Sequence, residues 1–168
     1  SMAKETLLRD LLDAIRAASD PPQFEMAGPR REIHFDPRVL RCGIVTCGGL
    51  CPGLNDVIRA VVLALHDQYG VTGTVGFRYG YEGLAARHGH EPMELTPDVV
   101  SRIHEHGGTI LASSRGEEDV GQMVDTLERM RLGILFAVGG DGTLRGAHAI
   151  AEEARRRKLD LAVIGIPK

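Results

Sequence analysis

The run Phe136-Ala137-Val138-Gly139-Gly140-Asp141-Gly142-Thr143-Leu144 constrains this chain more than any other stretch. An apolar segment of strand type breaks into Gly-Gly-Asp-Gly and opens at once into a helical pattern. Bare backbone N–H groups and one carboxylate therefore meet at a helix N-terminus. Amides and the helix dipole favour an anion there, and the carboxylate suits Mg²⁺. Asp141 also has a plainer reading, as a cap for the N–H of Leu144 or Arg145. A cap does not require glycine on both sides, which favours the metal role.

The same strand–turn–helix rhythm recurs along the chain. Residues 42–46 read as a strand, followed by a helix carrying Val57, Ile58, Val61, Val62 and Leu65, then a strand over 71–77. Thr96-Pro97-Asp98 starts a helix, with Thr96 as N-cap and Pro97 in the first position, and that helix is expected to run to about Gly107-Gly108. A third strand is expected over 109–112. Helices over about 119–131 and 143–157 then alternate with strands over 134–138 and 161–166. Such alternation predicts an α/β fold, an open and mostly parallel sheet with helices on both faces. Ahead of it, Leu7, Leu8, Leu11, Leu12 and Ile15 share one helical face over about 4–18, and Pro21-Pro22 ends that pattern. The expected organisation is an N-terminal extension over 1–38 and a nucleotide-binding α/β domain over 39–168. The last strand leads only to Pro167-Lys168, at the carboxyl ends of the strands, where ligands gather in an open α/β sheet. We therefore expect the amino-terminal half of something longer.

Composition narrows the partners. A formal charge of −3 argues against a nucleic-acid or anionic-membrane partner, and no apolar stretch approaches the ~20 residues of a membrane span. Ser1-Met2-Ala3-Lys4 has no apolar signal core, and the three cysteines Cys42, Cys47 and Cys51 sit together in a pattern that fits reduced thiols, so cytoplasm is the expected location.

Three further segments offer chemistry. Thr46-Cys47-Gly48-Gly49-Leu50-Cys51-Pro52-Gly53-Leu54-Asn55 is a glycine-rich turn before a helix, able to approach a phosphate or simply to turn tightly. It has neither the dinucleotide fingerprint nor the Gly-Lys-Ser/Thr of a P-loop. Ser114-Arg115-Gly116 places an arginine at the expected end of the third strand, where it would hold a phosphate or pair with Glu117 or Glu118. Tyr79-Gly80-Tyr81-Glu82-Gly83-Leu84 offers a tyrosine for a purine ring or for core packing. The seven histidines show no convincing metal-ligand spacing, with His104 and His106 near a solvated helix end, and Cys47 and Cys51 make an unpersuasive zinc pair. Arg155-Arg156-Arg157-Lys158 reads as a solvated helix C-terminus.

Together these segments, with Gly107-Gly108-Thr109-Ile110-Leu111 and Gly165-Ile166-Pro167-Lys168, resemble the ATP-dependent 6-phosphofructokinases, in the long form of plants and trypanosomatids, from about Pro29 to Lys168. The resemblance implies phosphoryl transfer from ATP to the 1-hydroxyl of fructose 6-phosphate with Mg²⁺, in an enzyme assembled from several subunits. It implies that Gly49 approaches the nucleotide phosphates and that Tyr81 lies near the adenine. Arg115 would meet the transferring phosphate, with Gly116 beside it. Gly140, Asp141, Gly142 and Thr143 would line the triphosphate, with Asp141 serving Mg²⁺. Gly142 stands where pyrophosphate-dependent relatives carry Asp, and so leaves room for ATP. Lys168 is the residue typical of pyrophosphate users, and the long ATP-dependent form combines the two. The family's segment with the general base should begin after Lys168, as should the half that binds fructose 6-phosphate. The chain alone is thus expected to show no kinase activity. Arg59 matches an effector-contacting arginine of the short bacterial enzymes, but Leu63 replaces a second basic residue, which argues against activation by ADP. NAD or lipid kinases share Gly-Gly-Asp-Gly-Thr but not the loop from Thr46 to Asn55 or the Ser114-Arg115-Gly116 turn. A non-catalytic nucleotide-binding module is the alternative from a different class.

Overall fold

The computed structural model describes residues 32–116 and 118–168. The helix expected over 4–18 lies outside the described residues. The chain divides into two units, Ser1–Ile33 and His34–Lys168, and the second contains every strand and helix discussed below.

Four strand segments follow the predicted periodicity: β1 (Arg41–Thr46), β2 (Gly73–Phe77), β4 (Ile134–Gly139) and β5 (Ala162–Pro167). Between them lies a two-residue strand, β3 (Met93–Glu94), which the sequence did not advertise. The sheet order is β3-β2-β1-β4-β5, parallel throughout except for the β2–β3 pair. Ile44 of β1 stands opposite Gly76 on one side and Phe136 on the other, so β1 is central.

Burial on both faces explains the unbroken apolar runs of β1 and β4. Val45, Phe77, Leu135 and Ala137 face a core built with Met123, Val124 and Leu127 of α3 (Val120–Arg129) and Ala147 and Ile150 of α4 (Asp141–Arg156). Ile44 and Val138, one residue out of phase, face the other core. That core is completed by Leu54, Ile58 and Val62 of α1 (Leu54–Tyr69) and by Val100 of the short α2 (Pro97–Val100). Helices thus cover both faces, as expected. Gly70 in the left-handed region ends α1, and its N–H donates to the carbonyl of His66.

Two expectations are corrected. Thr96 does cap α2, its side chain accepting from the N–H of Val99 at 3.3 Å, but the helix stops at Val100 and continues only as a 3-10 turn, Ile103–Glu105. Residues 109–112 are not a strand. Their backbone groups bond to side chains and turns instead of a ladder. The N–H of Ile110 donates to Asn55 Oδ1 at 2.9 Å, and the carbonyl of Ala112 accepts from Thr46 Oγ1 at 2.9 Å. The carbonyl of Leu111 accepts from the N–H of Tyr79 at 2.8 Å. Leu111 itself is fully buried over Gly76, whose missing side chain makes the space.

Candidate functional site

Sheet order determines where a cleft can open. From β1 the chain moves outward to β2, and it later returns on the other side of β1 as β4, so the connections leaving β1 and β4 diverge. A crevice forms at the carboxyl ends of two such strands. Here it is a cleft of about 570 Å³, lined by the turn after β1, the turn after β4, the 114–116 segment, Tyr81 and Lys168. Gly49, Tyr81, Arg115, Gly116, Gly140, Asp141, Gly142, Thr143 and Lys168, the site residues expected from sequence, all line it.

The turn after β1 is held by polar contacts to the 113–114 segment. The N–H of Gly48 donates to the carbonyl of Ser114 at 3.0 Å, and Ser113 Oγ donates to the carbonyl of Gly48 at 2.5 Å. Asn55, buried at the start of α1, donates through Nδ2 to the carbonyl of His106 at 2.9 Å while accepting from Ile110. The Arg115 loop is therefore anchored by the β1 turn and α1, and not, as the sequence suggested, by the end of a strand. Two cations converge on Gly49. Arg115 Nη2 lies 3.2 Å from where a Cβ on Gly49 would stand, and Lys168 Nζ donates to the carbonyls of Cys47 (3.0 Å) and Gly49. An ammonium has three donors, so Lys168 keeps one for an anion. Ser114 Oγ, also in the cleft wall, is buried without a hydrogen-bond partner among the described residues.

The turn after β4 explains its glycines in two different ways. Gly139 is required by packing, since Thr143 fills the place of its side chain. Gly140 and Gly142 are not: each has a negative φ, and a Cβ on either would meet nothing within 4 Å. Neither backbone geometry nor packing among the described residues asks for glycine there. A ligand approaching the backbone would. The N-cap of α4 is Gly140, with no side-chain cap, and Asp141 occupies the first helical turn. The capping role considered for Asp141 is thus not taken up: the N–H of Leu144 bonds to the carbonyl of Gly140. The Asp141 carboxylate stays exposed beside the cleft, with no ion pair or hydrogen bond among the described residues.

Tyr81 is placed by packing more than by openness. It is 8% exposed, its ring lies over Gly146, and its hydroxyl donates to the carbonyl of Thr143 at 2.6 Å. Burial, with the neighbouring Cys47 as a lesser cause, pushes its phenol well above the ordinary range. Little of the residue is offered to the cleft. Burial likewise pushes the Cys47 thiol up to about 12, so it sits in the wall as a neutral apolar group. Arg115 is exposed and makes no ion pair with Glu118, which pairs instead with Arg87 and His88. Of the charged lining residues, Glu118 and Arg145 were not read as site residues from the sequence. The clue for Arg145 was a cation early in a helix, where the dipole does not favour one.

The family model for phosphofructokinase matches residues 41–168. The chain belongs to the phosphofructokinase family. It is 58% identical over 148 residues to an ATP-dependent 6-phosphofructokinase of Trypanosoma cruzi, covering 88% of this chain and 30% of that protein. It is 51% identical over 166 residues to an ATP-dependent 6-phosphofructokinase of Amycolatopsis methanolica, covering 96% and 36%. Among solved structures it is similar to the phosphofructokinase of Pichia pastoris in the T-state, with a TM-score of 0.66 and 25% identity over 89% of this chain and 17% of that one. The chain thus spans about a third of the length of the curated phosphofructokinases it matches.

Proposed function

We propose that this chain forms the ATP side of a 6-phosphofructokinase, which transfers the γ-phosphate of ATP to the 1-hydroxyl of fructose 6-phosphate. The observation that carries the reading is the pair of bare glycines, Gly140 and Gly142, open to the cleft for no internal reason. Around them the α4 N-terminus, Arg115 and Lys168 supply positive potential for a polyphosphate. Similarity to phosphofructokinases described as ATP-dependent supports the donor.

The donor set fits Mg²⁺. Asp141 is one exposed carboxylate next to a phosphate-type turn, and Mg²⁺ is commonly held by one or two carboxylates together with substrate phosphates and water. When bound, the ion would neutralise charge on the phosphates. The chain's own residues orient the donor: amides of the Gly139–Thr143 turn bind the phosphate oxygens, and Arg115 meets charge developing on the transferring group. Acceptance of the sugar's proton is assigned to the part of the enzyme beyond this chain, so the chain alone is expected to bind without turnover.

Calorimetric titration of the chain with Mg·ATP and with Mg·pyrophosphate tests the reading. Saturable binding of Mg·ATP that is lost in Asp141→Asn supports it. Preference for pyrophosphate would move the reading to a pyrophosphate-dependent enzyme, as the placement of Lys168 against the phosphate turn allows. No binding of either would overturn it.

A further inference from the structure

Beside the cleft, and outside the residues assigned to it above, the structure assembles Glu82, His88 and His90. One potential ligand atom from each lies within 4.8 Å of the others. Local geometry explains the convergence. Glu82 belongs to the 3-10 turn Gly80–Leu84, and His88 ends a second one, Ala86–His88. Gly89, between the two histidines, has φ +65°, in the left-handed region, and closes the 3-10 turn Ala86–His88. With the chain so turned, the rings of His88 and His90 lie together. Their planes are within 8° of parallel, with centroids 5.9 Å apart.

We propose that Glu82, His88 and His90 bind a zinc-type divalent cation, with water completing the coordination. Two imidazoles and one carboxylate form a borderline-soft donor set that favours Zn²⁺ over Mg²⁺ or Ca²⁺. The second observation is the support behind His88. Glu118, whose side chain is only 3% exposed, holds His88 Nε2 at 2.9 Å, with Arg87 Nε 3.2 Å from the same nitrogen. In the tautomer that donates from Nε2 to Glu118, Nδ1 is the atom offered to the metal. A buried carboxylate behind a ligating histidine fixes its ring and tautomer and raises its basicity. The other Glu118 oxygen takes Arg87 at 2.7 Å, so the nearby guanidinium is already paired and does not oppose a cation at full strength. His90 is steadied by Tyr79, with ring centroids 4.5 Å apart. Ligand atoms around a tetrahedral Zn²⁺ stand roughly 3.4 Å apart, given bonds of ~2.1 Å. Torsions of the exposed His88 and half-buried Glu82 and His90 can close the difference.

The test is a Zn²⁺ titration of the tag-free, chelator-stripped chain at neutral pH in excess Mg²⁺, which occupies oxygen-only sites. One saturable equivalent is expected in the wild type. His90→Ala should weaken binding by roughly 10-fold or more, the His88→Ala/His90→Ala pair should abolish it, and Glu118→Gln should weaken it roughly 10-fold. Co²⁺ substitution provides a readout independent of affinity, a visible spectrum lacking a thiolate charge-transfer band. A thiolate band would overturn the assignment, because the metal would then sit on Cys51 or its neighbours. So would undiminished binding in the half-buried ligand variant His90→Ala, or no saturable binding in the wild type.

Discussion

The hydroxyl of Tyr81 donates to the main-chain carbonyl of Thr143 at 2.6 Å, across 62 residues of sequence. This bond ties the 3-10 turn after β2 to the first turn of α4, and with it the glycine turn of the cleft. Tyr81→Phe removes a buried hydrogen bond and is expected to destabilise the domain by about 1 kcal/mol in urea unfolding. The same ring explains Gly146, where a Cβ would come within 2.5 Å of Tyr81 Cε2. Gly146→Ala should therefore cost about 1–3 kcal/mol, despite alanine's better helix propensity. A Tyr81→Leu background should relieve much of that cost in a double-mutant cycle. Strict additivity would show that the two residues do not meet.

Gly142→Asp separates stability from binding. A Cβ at 142 meets nothing, and an acidic residue in the first turn of α4 favours the helix dipole by about 0.3–1 kcal/mol. The variant should melt no lower than wild type. Its affinity for Mg·ATP should nevertheless fall by roughly 10-fold or more, because a carboxylate now faces the phosphates. Unchanged ATP affinity would remove Gly142 from the site.

Thiol reactivity should follow burial. Cys42 and Cys47 are buried, with thiols pushed up to about 11 and about 12, while Cys51 is half-buried. Iodoacetamide near pH 8 should label Cys51 first, and all three only in denaturant. The folded thiols keep their protons while those of the unfolded chain ionise. Their contribution to stability is therefore complete below about pH 9 and declines as pH rises toward 12. Equal labelling rates for Cys47 and Cys51 in the native chain would contradict the structure.

At acid pH one sensitive group, beside Asp36 and Glu105, is Glu153. Arg156, and next Arg157, hold its carboxyl down at about 2 through side-chain hydrogen bonds. Because the folded value is depressed, the stabilisation is present above the ordinary pKa near 4.5 and disappears as pH falls from there toward 2. Glu153→Gln should flatten this limb of the melting-temperature profile. An unchanged acid limb would show that the arginines find other partners at no loss.

The sequence carried the sheet where local rules and tertiary burial agree. The runs in β1 and β4 are apolar because both faces are covered, and Thr96 caps where capping chemistry demands. It misled at Thr109-Ile110-Leu111-Ala112, whose apolarity comes from Leu111 seated over Gly76, while its backbone bonds go to Asn55 and Thr46. No local period encodes partners more than 50 residues away. The candidate site was legible through glycine, since an unneeded Gly140 or Gly142 is visible as soon as a helix follows. The support of His88 by Glu118 was not, because 30 residues separate them and neither stands in a motif.

Lys168 reaches the carbonyl of Cys47 across 121 residues, joining the end of β5 to the turn after β1. Contacts this distant in sequence form late, after the entropy of closing the intervening loop has been met, and parallel pairing is slow for the same reason. The turn after β1 can be present in a partly folded chain, but the Lys168 ammonium arrives only when the last strand has docked. On the function proposed above, nucleotide affinity would report folding order. A ligand at 100 times its Kd adds about 2.7 kcal/mol to the state that binds it, and that state is the one in which the last strand has docked.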